Sequence, residues 1–258
     1  MPYQLVLTAS VHPNGMYVKV ADSKVREGQY LRSLQTLLSI PSPVVQGFTF
    51  IENSGADLTP FHALVAEHNP HGKKVELISL NMNDFPRELG IGYGEFRALD
   101  KGISESKLIT DQTYLVKLTG RLIVRNLAAL LSALPEPLDM AADVEPFKDP
   151  ATGWIDSRLM IFSREFYFKK VMGLYEQVNG SKGVAIEHIL YQMIRHSPGL
   201  RLVARLPREP QWVGFSGSTG MRYDSLSMRL KYPPKVVSRM FQRMMNLPDL
   251  SQVWAKGA

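Results

Sequence analysis

The chain has 258 residues, of which 45% are hydrophobic and 21% charged, and it contains no cysteine. A chain of this size and composition folds around its own hydrophobic core, and it has no disulfide, thiolate metal site or thiol nucleophile. The formal net charge of +6 favours anionic partners such as nucleotides, nucleic acid or an anionic membrane surface. No apolar run approaches the ~20 residues of a membrane-spanning helix, so we expect a cytoplasmic protein.

Strands and helices alternate along the first half of the chain. Residues 3 to 11 are apolar and rich in β-formers, which is typical of a central parallel strand. A helix is predicted for residues 26 to 40, because apolar residues recur there at helical spacing and Pro41 ends the pattern. The elements that follow are a strand at 46–52, a helix at 58–67, a strand at 74–80, and Gly90, Gly92 and Gly94 before a helix at 95–109.

A buried fourth strand is predicted for residues 114 to 118, and it ends in the turn Thr119-Gly120-Arg121. Such a turn brings backbone N–H groups and a guanidinium to the carboxyl edge of the sheet, where open α/β folds bind their ligands. Lys117 faces away from Val116 and Leu118 in this strand, so its burial would require a partner. The pattern therefore predicts an anion-binding crevice at this turn.

The second half of the chain continues the alternation. The predicted elements are a helix at 123–134, an unburied acidic proline-rich loop at 135–150, a strand at 155–163, helices at 164–174 and 184–194, a strand at 200–205, a Gly/Ser loop at 214–220 and a basic helix at 234–245. This order predicts an α/β fold, with a mostly parallel Rossmann-like sheet that carries helices on both faces.

We expect one catalytic domain over residues 1–210, followed by a C-terminal basic helical appendage at 211–258. Residues 195 to 256 hold eleven Lys and Arg against three Asp and Glu. The final helix, at 234–245, is predicted either to dock on an anionic lipid surface or to pack its apolar face on the core and complete the domain.

The order of elements and five motifs resemble the GT-A glycosyltransferases of bacterial surface-polysaccharide (capsule and lipopolysaccharide O-antigen) biosynthesis. The motifs are FIENSG at 50–55, GYGEFRAL at 92–99, YLVKLTGR at 114–121, DSRLMIFSREFYF at 156–168 and the helix that carries Glu187. The resemblance spans roughly residues 3 to 205. It implies a nucleotide-sugar donor and a glycan or lipid-linked acceptor, with the enzyme peripheral on the inner face of the plasma membrane.

The resemblance also implies which residues bind the donor. They are Thr8, Ala9 and Ser10 after the first strand, Glu52 and Asn53 after the second, and Gly92, Gly94 and Arg97 in the segment that covers the nucleotide. The family's metal-binding Asp-x-Asp motif is replaced here by Thr119, Gly120 and Arg121. Hard cations prefer carboxylate oxygens, whereas arginine bonds phosphate bidentately. We therefore expect metal-independent transfer without a cofactor, with Arg121 closest to the phosphate and Lys117, Arg125 and Arg158 as further candidate cations.

An inverting transferase also needs a base that takes the proton of the acceptor hydroxyl. In the family pattern this is an acidic residue at the start of a late helix, a place that Glu187 fits, with Asp156 as the second candidate for base or acceptor contact. A purely structural role is the alternative for each of these residues: Glu187 would be a solvated carboxylate on a helix, and Asp156 would cap a turn. The candidate lid over the donor is Ser216, Gly217 and Ser218. The alternative is that these residues form an ordinary loop without a role in binding.

A second function class is a non-catalytic α/β protein that binds nucleic acid or another polyanion, which the basic tail favours. The aromatic residues of this chain, however, are not interleaved with the basic residues, as they are in proteins that stack the bases of single-stranded nucleic acid. We therefore expect no nucleic-acid partner. An inactive transferase-like scaffold remains a third reading.

Overall fold

The computed structural model describes residues 3–14, 18–41, 43–145, 153–217 and 219–225. Ser218 and the helix predicted at 234–245 lie outside these residues. The strands are β1 (Tyr3–Ala9), β2 (Val45–Glu52), β3 (Lys74–Ser79), β4 (Tyr114–Thr119), β5 (Ile123–Val124), β6 (Met140–Glu145), β7 (Trp154–Ser163), β8 (Leu202–Val203) and β9 (Trp212–Val213). The helices are α1 (Ser23–Leu38), α2 (Thr59–Glu67), α3 (Ile91–Glu105), α4 (Leu127–Leu131), α5 (Arg164–Phe166) and α6 (Ile186–Arg195).

In the described part of the chain, seven strands form the central sheet, in the order β3-β2-β1-β4-β7-β6-β8. Strands β3, β2, β1 and β4 are parallel, and β7 runs antiparallel between β4 and β6. The two short strands β5 and β9 pair with each other in a separate ladder. The predicted α/β class, with a mostly parallel sheet, is confirmed.

Helices cover both faces of the sheet. On one face α1, α2 and α4 pack through a cluster that includes Leu34, Phe61 and Leu127. On the other face α3 and α6 pack through a cluster that includes Phe96 and Leu190. Strands buried on both faces are largely apolar, as the sequences of β1 and β4 are. No helix in the described ranges is long and apolar enough to cross a membrane.

The elements predicted up to residue 118 are present, with ends that differ by up to four residues. The largest difference is in α3, which begins at Ile91, so that Gly92 and Gly94 lie inside its first turns rather than before it.

Two predictions in the second half are wrong. The centre of the loop predicted at 135–150 is the buried strand β6, in which the Asp143 carboxylate accepts the backbone N–H of Leu206 at 3.1 Å. The helix predicted at 123–134 is instead β5 followed by the short α4. Both strands pair with residues far away in sequence, and local periodicity carries no signal of such partners. The helix predicted at 164–174 is also shorter, because α5 passes into a π-helical turn at Tyr167–Val171.

Candidate functional site

A pocket opens at the carboxyl ends of β1, β2 and β4, the edge at which the sequence predicted an anion site. Its lining residues are Thr8, Ala9, Ser10, Pro13, Asn14, Val18, Arg26, Tyr30, Asn53, Asn83, Phe85, Ile91, Gly94, Glu95, Ala98, Thr119, Arg121 and Gly217. The structure therefore brings together most of the residues predicted to bind the donor. Parallel strands end at the same edge of a sheet, and this places residues from distant segments side by side.

Gly120, which follows β4, lies directly against the end of β1. Its backbone N–H donates to the carbonyl of Thr8 at 2.9 Å. A Cβ atom at this position would lie 2.7 Å from the Thr8 carbonyl oxygen and 3.4 Å from the ring of Tyr30. A side chain would thus push the Thr119-Gly120-Arg121 turn away from the first strand.

We expect Gly120→Ala to lower the free energy of unfolding by about 1 to 3 kcal/mol, as overpacking against a fixed backbone does. Gly28→Ala is the matched control, because nothing lies within 4 Å of a Cβ there and alanine is the better helix former. Thermal unfolding of both variants checks this. A Gly120→Ala protein that unfolds at the wild-type temperature would contradict the close contact.

Glu52 does not line the pocket, although it was predicted to bind the donor. Its side chain is fully buried, and its carboxylate accepts the backbone N–H groups of Val11 at 2.9 Å, Ser54 at 2.9 Å and Ala56 at 3.0 Å. The hydroxyl of Ser54 also donates to it. Glu52 therefore fixes the backbone that follows β1 and β2, and so shapes the pocket from beneath.

Lys117 is 1% exposed, and its ammonium is bound by groups from α3 and β7. It forms an ion pair with the Glu95 carboxylate at 2.7 Å and donates to the Ser157 carbonyl at 2.5 Å. The Thr8 hydroxyl donates to the same Glu95 oxygen at 2.6 Å. Burial raises the pKa of Glu95, but the charge and hydrogen bond of Lys117, together with Thr8, outweigh it and lower that pKa below its ordinary value. The buried lysine thus has the partner that its burial requires.

Arg121 reaches across the pocket to the Gly/Ser loop. Its Nη1 donates to the carbonyl of Phe215 at 2.7 Å, and its Nε is buried without a hydrogen-bond partner. A Cβ on Gly217 would lie 2.4 Å from Nη2, so the loop backbone passes directly against the guanidinium. The same loop accepts the backbone N–H of Lys19 on the carbonyl of Gly217 at 3.0 Å. In the described residues of the candidate lid, Gly217 lines the pocket and Ser216 is buried.

Arg26 is a second arginine in the pocket lining, and the sequence analysis did not single it out. It is 6% exposed and donates to the carbonyl of Ser10 at 2.5 Å, the carbonyl of Val20 at 3.1 Å and the hydroxyl of Tyr30 at 2.9 Å. Burial, with a smaller contribution from the charge of Arg121, lowers the pKa of Arg26. Within the described ranges no carboxylate lies within 4.0 Å of either arginine, so neither has an ion-pair partner there.

Asp156 and Arg158 lie on β7 and bind each other. The carboxylate of Asp156 accepts Nε of Arg158 at 2.8 Å and Nη2 at 2.5 Å. The guanidinium lies 4.6 Å from the ring centre of Trp212 and 4.8 Å from that of Tyr223. Burial opposes this charge, but the hydrogen bonds and charge of Asp156 outweigh it and raise the pKa of Arg158. The pair fixes the segment that follows β9, and neither residue lines the pocket.

Glu187 stands in the first turn of α6, beside β7. One of its carboxylate oxygens accepts the hydroxyl of Ser157 at 2.6 Å, and the carbonyl of the same Ser157 accepts from Lys117. Glu187 is partly exposed and lies outside the pocket lining. The structure thus connects it to the pocket through one residue of β7 and the buried lysine.

Arg97 lies apart from this cluster. Its Nη1 forms an ion pair with Asp84 at 3.0 Å, and it is not a lining residue. Gly92 packs against α6, since a Cβ there would lie 2.9 Å from Ile186. Of the three residues predicted to cover the nucleotide, Gly94 is in the lining, whereas Gly92 and Arg97 are not.

No protein-family model matches the chain, and no curated protein matches it in sequence. The galactosyltransferase LgtC, in complex with donor and acceptor sugar analogues, aligns with a TM-score of 0.51 at 12% identity, over 96% of this chain and 99% of its own. The glycosyltransferase GlyE of Streptococcus pneumoniae TIGR4 aligns with a TM-score of 0.52 at 10% identity, over 96% of this chain and 52% of its own. The fold is GT-A-like.

The metal ion that the GT-A resemblance implies does not fit the residues at the end of β4. A threonine hydroxyl, a glycine and a guanidinium supply no carboxylate oxygen for a hard cation. Across the part of the chain that the structure describes, no group of three or more His, Cys, Asp or Glu side chains is arranged to hold a metal. Glu95, the acidic residue in the lining, is paired with Lys117. This set of groups suits an anion.

The sequence analysis did not predict two charged residues of the pocket, Arg26 and Glu95. For Arg26, however, the sequence does contain an indication. Arg26 lies four residues before Tyr30, on the stripe of α1 that also buries Leu34 and Leu37, so its spacing places it on the buried face. Glu95 lay inside a motif that was recognised, but its pairing with Lys117 joins two elements, and no local pattern indicates such a pair.

Proposed function

We propose that this protein is a glycosyltransferase, which moves a sugar from a nucleotide-activated donor to an acceptor hydroxyl. The observation that carries the proposal is the pocket at the ends of β1, β2 and β4, in which two arginines without carboxylate partners among the described residues face polar side chains. An open α/β sheet binds nucleotides at this edge. LgtC and GlyE, which share the fold, are glycosyltransferases, and this supports the same assignment.

In the proposed reaction, the acceptor oxygen forms a bond to the anomeric carbon of the donor sugar. The bond from that carbon to the diphosphate breaks, and the nucleoside diphosphate leaves with the electron pair. Glu187 takes the proton of the acceptor hydroxyl, which makes the transfer inverting, with Asp156 as the alternative base. Arg121 stabilises the negative charge that develops on the leaving oxygens, without a divalent metal.

The finer part of the proposal concerns the acceptor. We propose a glycan or lipid-linked glycan of bacterial surface-polysaccharide synthesis, reached from the cytoplasmic face of the plasma membrane. The sequence motifs and the basic composition of residues 195 to 256 support it. The polyanion-binding alternative is less favoured, because such binding uses an exposed basic surface, whereas Arg26 is recessed and 6% exposed.

A thermal-shift screen tests the proposal. We expect one donor among UDP-, GDP-, dTDP- and CMP-sugars to raise the melting temperature in excess EDTA, because a ligand that binds only the folded state stabilises it. The stabilising donor is then assayed for transfer with and without EDTA. The control ligand is single-stranded DNA. Stabilisation by DNA alone would overturn the glycosyltransferase assignment, and complete loss of transfer in EDTA would overturn the metal-independent mechanism.

A further inference from the structure

Arg26 and Arg121 are cationic residues of the pocket lining that come from two different elements, and neither has an ion-pair partner among the described residues. Arg26 lies in the first turns of α1, beneath the segment that follows β1, and Arg121 follows β4. Contacts connect the two arginines: Arg26 donates to the carbonyl of Val20, the adjacent Lys19 donates to Gly217, and Gly217 lies against Arg121. Both guanidinium groups therefore border one small space.

We propose that Arg26 and Arg121 together form a two-guanidinium site that binds both phosphate groups of a diphosphate, and that Arg26 is a binding residue rather than only a structural one. The inference rests on the proposed function for the identity of that diphosphate, which is the leaving group of the donor. In this proposal the two arginines neutralise the negative charge of the diphosphate, which a metal ion would otherwise do.

The burial of Arg26 is the first argument. Placing a guanidinium in a protein interior is unfavourable unless the charge is compensated, and the acceptors that it has are two carbonyls and a phenol, all neutral. A guanidinium has five N–H groups, so donation to three acceptors leaves others for a ligand. Burial is the main cause of the lowered pKa of Arg26, and it outweighs the opposing contributions of Tyr30 and Glu52.

The surroundings of Arg121 are the second argument. Among the described residues, its Nε is buried without a hydrogen-bond partner, and its guanidinium donates to the Phe215 carbonyl. Glu95, the acidic residue in the lining, attracts Arg121 electrostatically, but it is already paired with Lys117 and bound by Thr8. An anion is therefore the group that satisfies both guanidinium ions at once.

Calorimetric titration of the 258-residue chain tests the site, with inorganic pyrophosphate and orthophosphate as probes in EDTA. We expect wild-type protein to bind pyrophosphate more tightly than orthophosphate, because the former reaches both arginines. Arg121→Gln and Arg26→Gln each weaken pyrophosphate binding roughly 10- to 100-fold, the effect of a lost charge-assisted hydrogen bond, and each removes the preference. Arg32→Gln is the control, since Arg32 lies on the same helix and is exposed.

Melting without ligand shows whether each variant folds. If Arg26→Gln does not fold, Arg26→Lys is used instead, because lysine keeps the charge but lacks the planar fork of arginine. We expect Arg26→Lys to bind pyrophosphate less tightly than wild type and to show a smaller preference for pyrophosphate over orthophosphate. An unchanged preference in Arg121→Gln and in the folded Arg26 variant overturns the site and leaves the glycosyltransferase proposal standing. Arginine-dependent pyrophosphate binding, with no nucleotide-sugar recognised, supports the site and overturns that proposal instead.

Discussion

Replacing Glu95 by glutamine is expected to lower the free energy of unfolding by about 3 to 5 kcal/mol, the effect of leaving a buried charge without its partner. Lys117 is 1% exposed, so water cannot replace the lost carboxylate. Lys117→Met is expected to lower the free energy of unfolding by a smaller amount. The side chain of Glu95 is 19% exposed, so its carboxylate can reach solvent or take up a proton. Denaturant unfolding of both variants measures the difference.

The double variant Glu95→Gln, Lys117→Met is the control, and it should be more stable than the sum of the two single effects predicts. Because pairing lowers the pKa of Glu95 in the folded protein, its stabilising contribution is complete above the ordinary value of 4.5. That contribution is lost as the pH falls below 4.5 and through the lower pKa of the folded state. Equal losses in the two single variants, with simple additivity in the double, would argue against a coupled pair.

Replacing Glu187 by glutamine is expected to reduce kcat about 10²- to 10⁴-fold, the contribution of a positioned general base. The KM for the donor should change little, because Glu187 is outside the pocket lining. Ser157→Ala removes the hydroxyl that donates to Glu187 at 2.6 Å, and a smaller fall in kcat is expected from it. Initial-rate kinetics with the donor found in the screen provide both constants.

Asp156→Asn is the matched comparison, since Asp156 is the other candidate base. Its carboxylate is bound to Arg158 through two hydrogen bonds, so we expect this variant to be less stable but to retain most of its turnover. A large loss of turnover in Asp156→Asn, together with a normal Glu187→Gln enzyme, would reverse the assignment of the base.

The sequence predicts the fold class and the edge of the sheet that carries the pocket. Both follow from patterns that are local: apolar strands, amphipathic helices and a Thr119-Gly120-Arg121 turn at a strand end. Lys117 shows how far such reasoning extends. Its position on the strand indicates that burial requires a partner, but Glu95 is identified as that partner only when α3 is docked against β4.

Other features could not be predicted from the sequence for the same reason. Glu52 is a polar residue at the end of a strand, which suggests a ligand contact, yet three backbone N–H groups from two loops bind its carboxylate. The β5–β9 ladder joins Ile123 to Val213, and the buried strand β6 lies in a segment rich in acidic residues and proline. Each depends on partners brought by the tertiary fold.

The buried lysine also bears on how the sheet selects its register. Strand β4 is buried on both faces, and its neighbours β1 and β7 are apolar beside it, with Lys117 opposite Val6 and Met160. Hydrophobic alternation specifies the register of such a strand weakly. A slip of one residue would turn the ammonium to the other face of the sheet, away from Glu95 and into hydrocarbon. A single charge thus penalises the misaligned pairings that the apolar residues of β4 would otherwise tolerate.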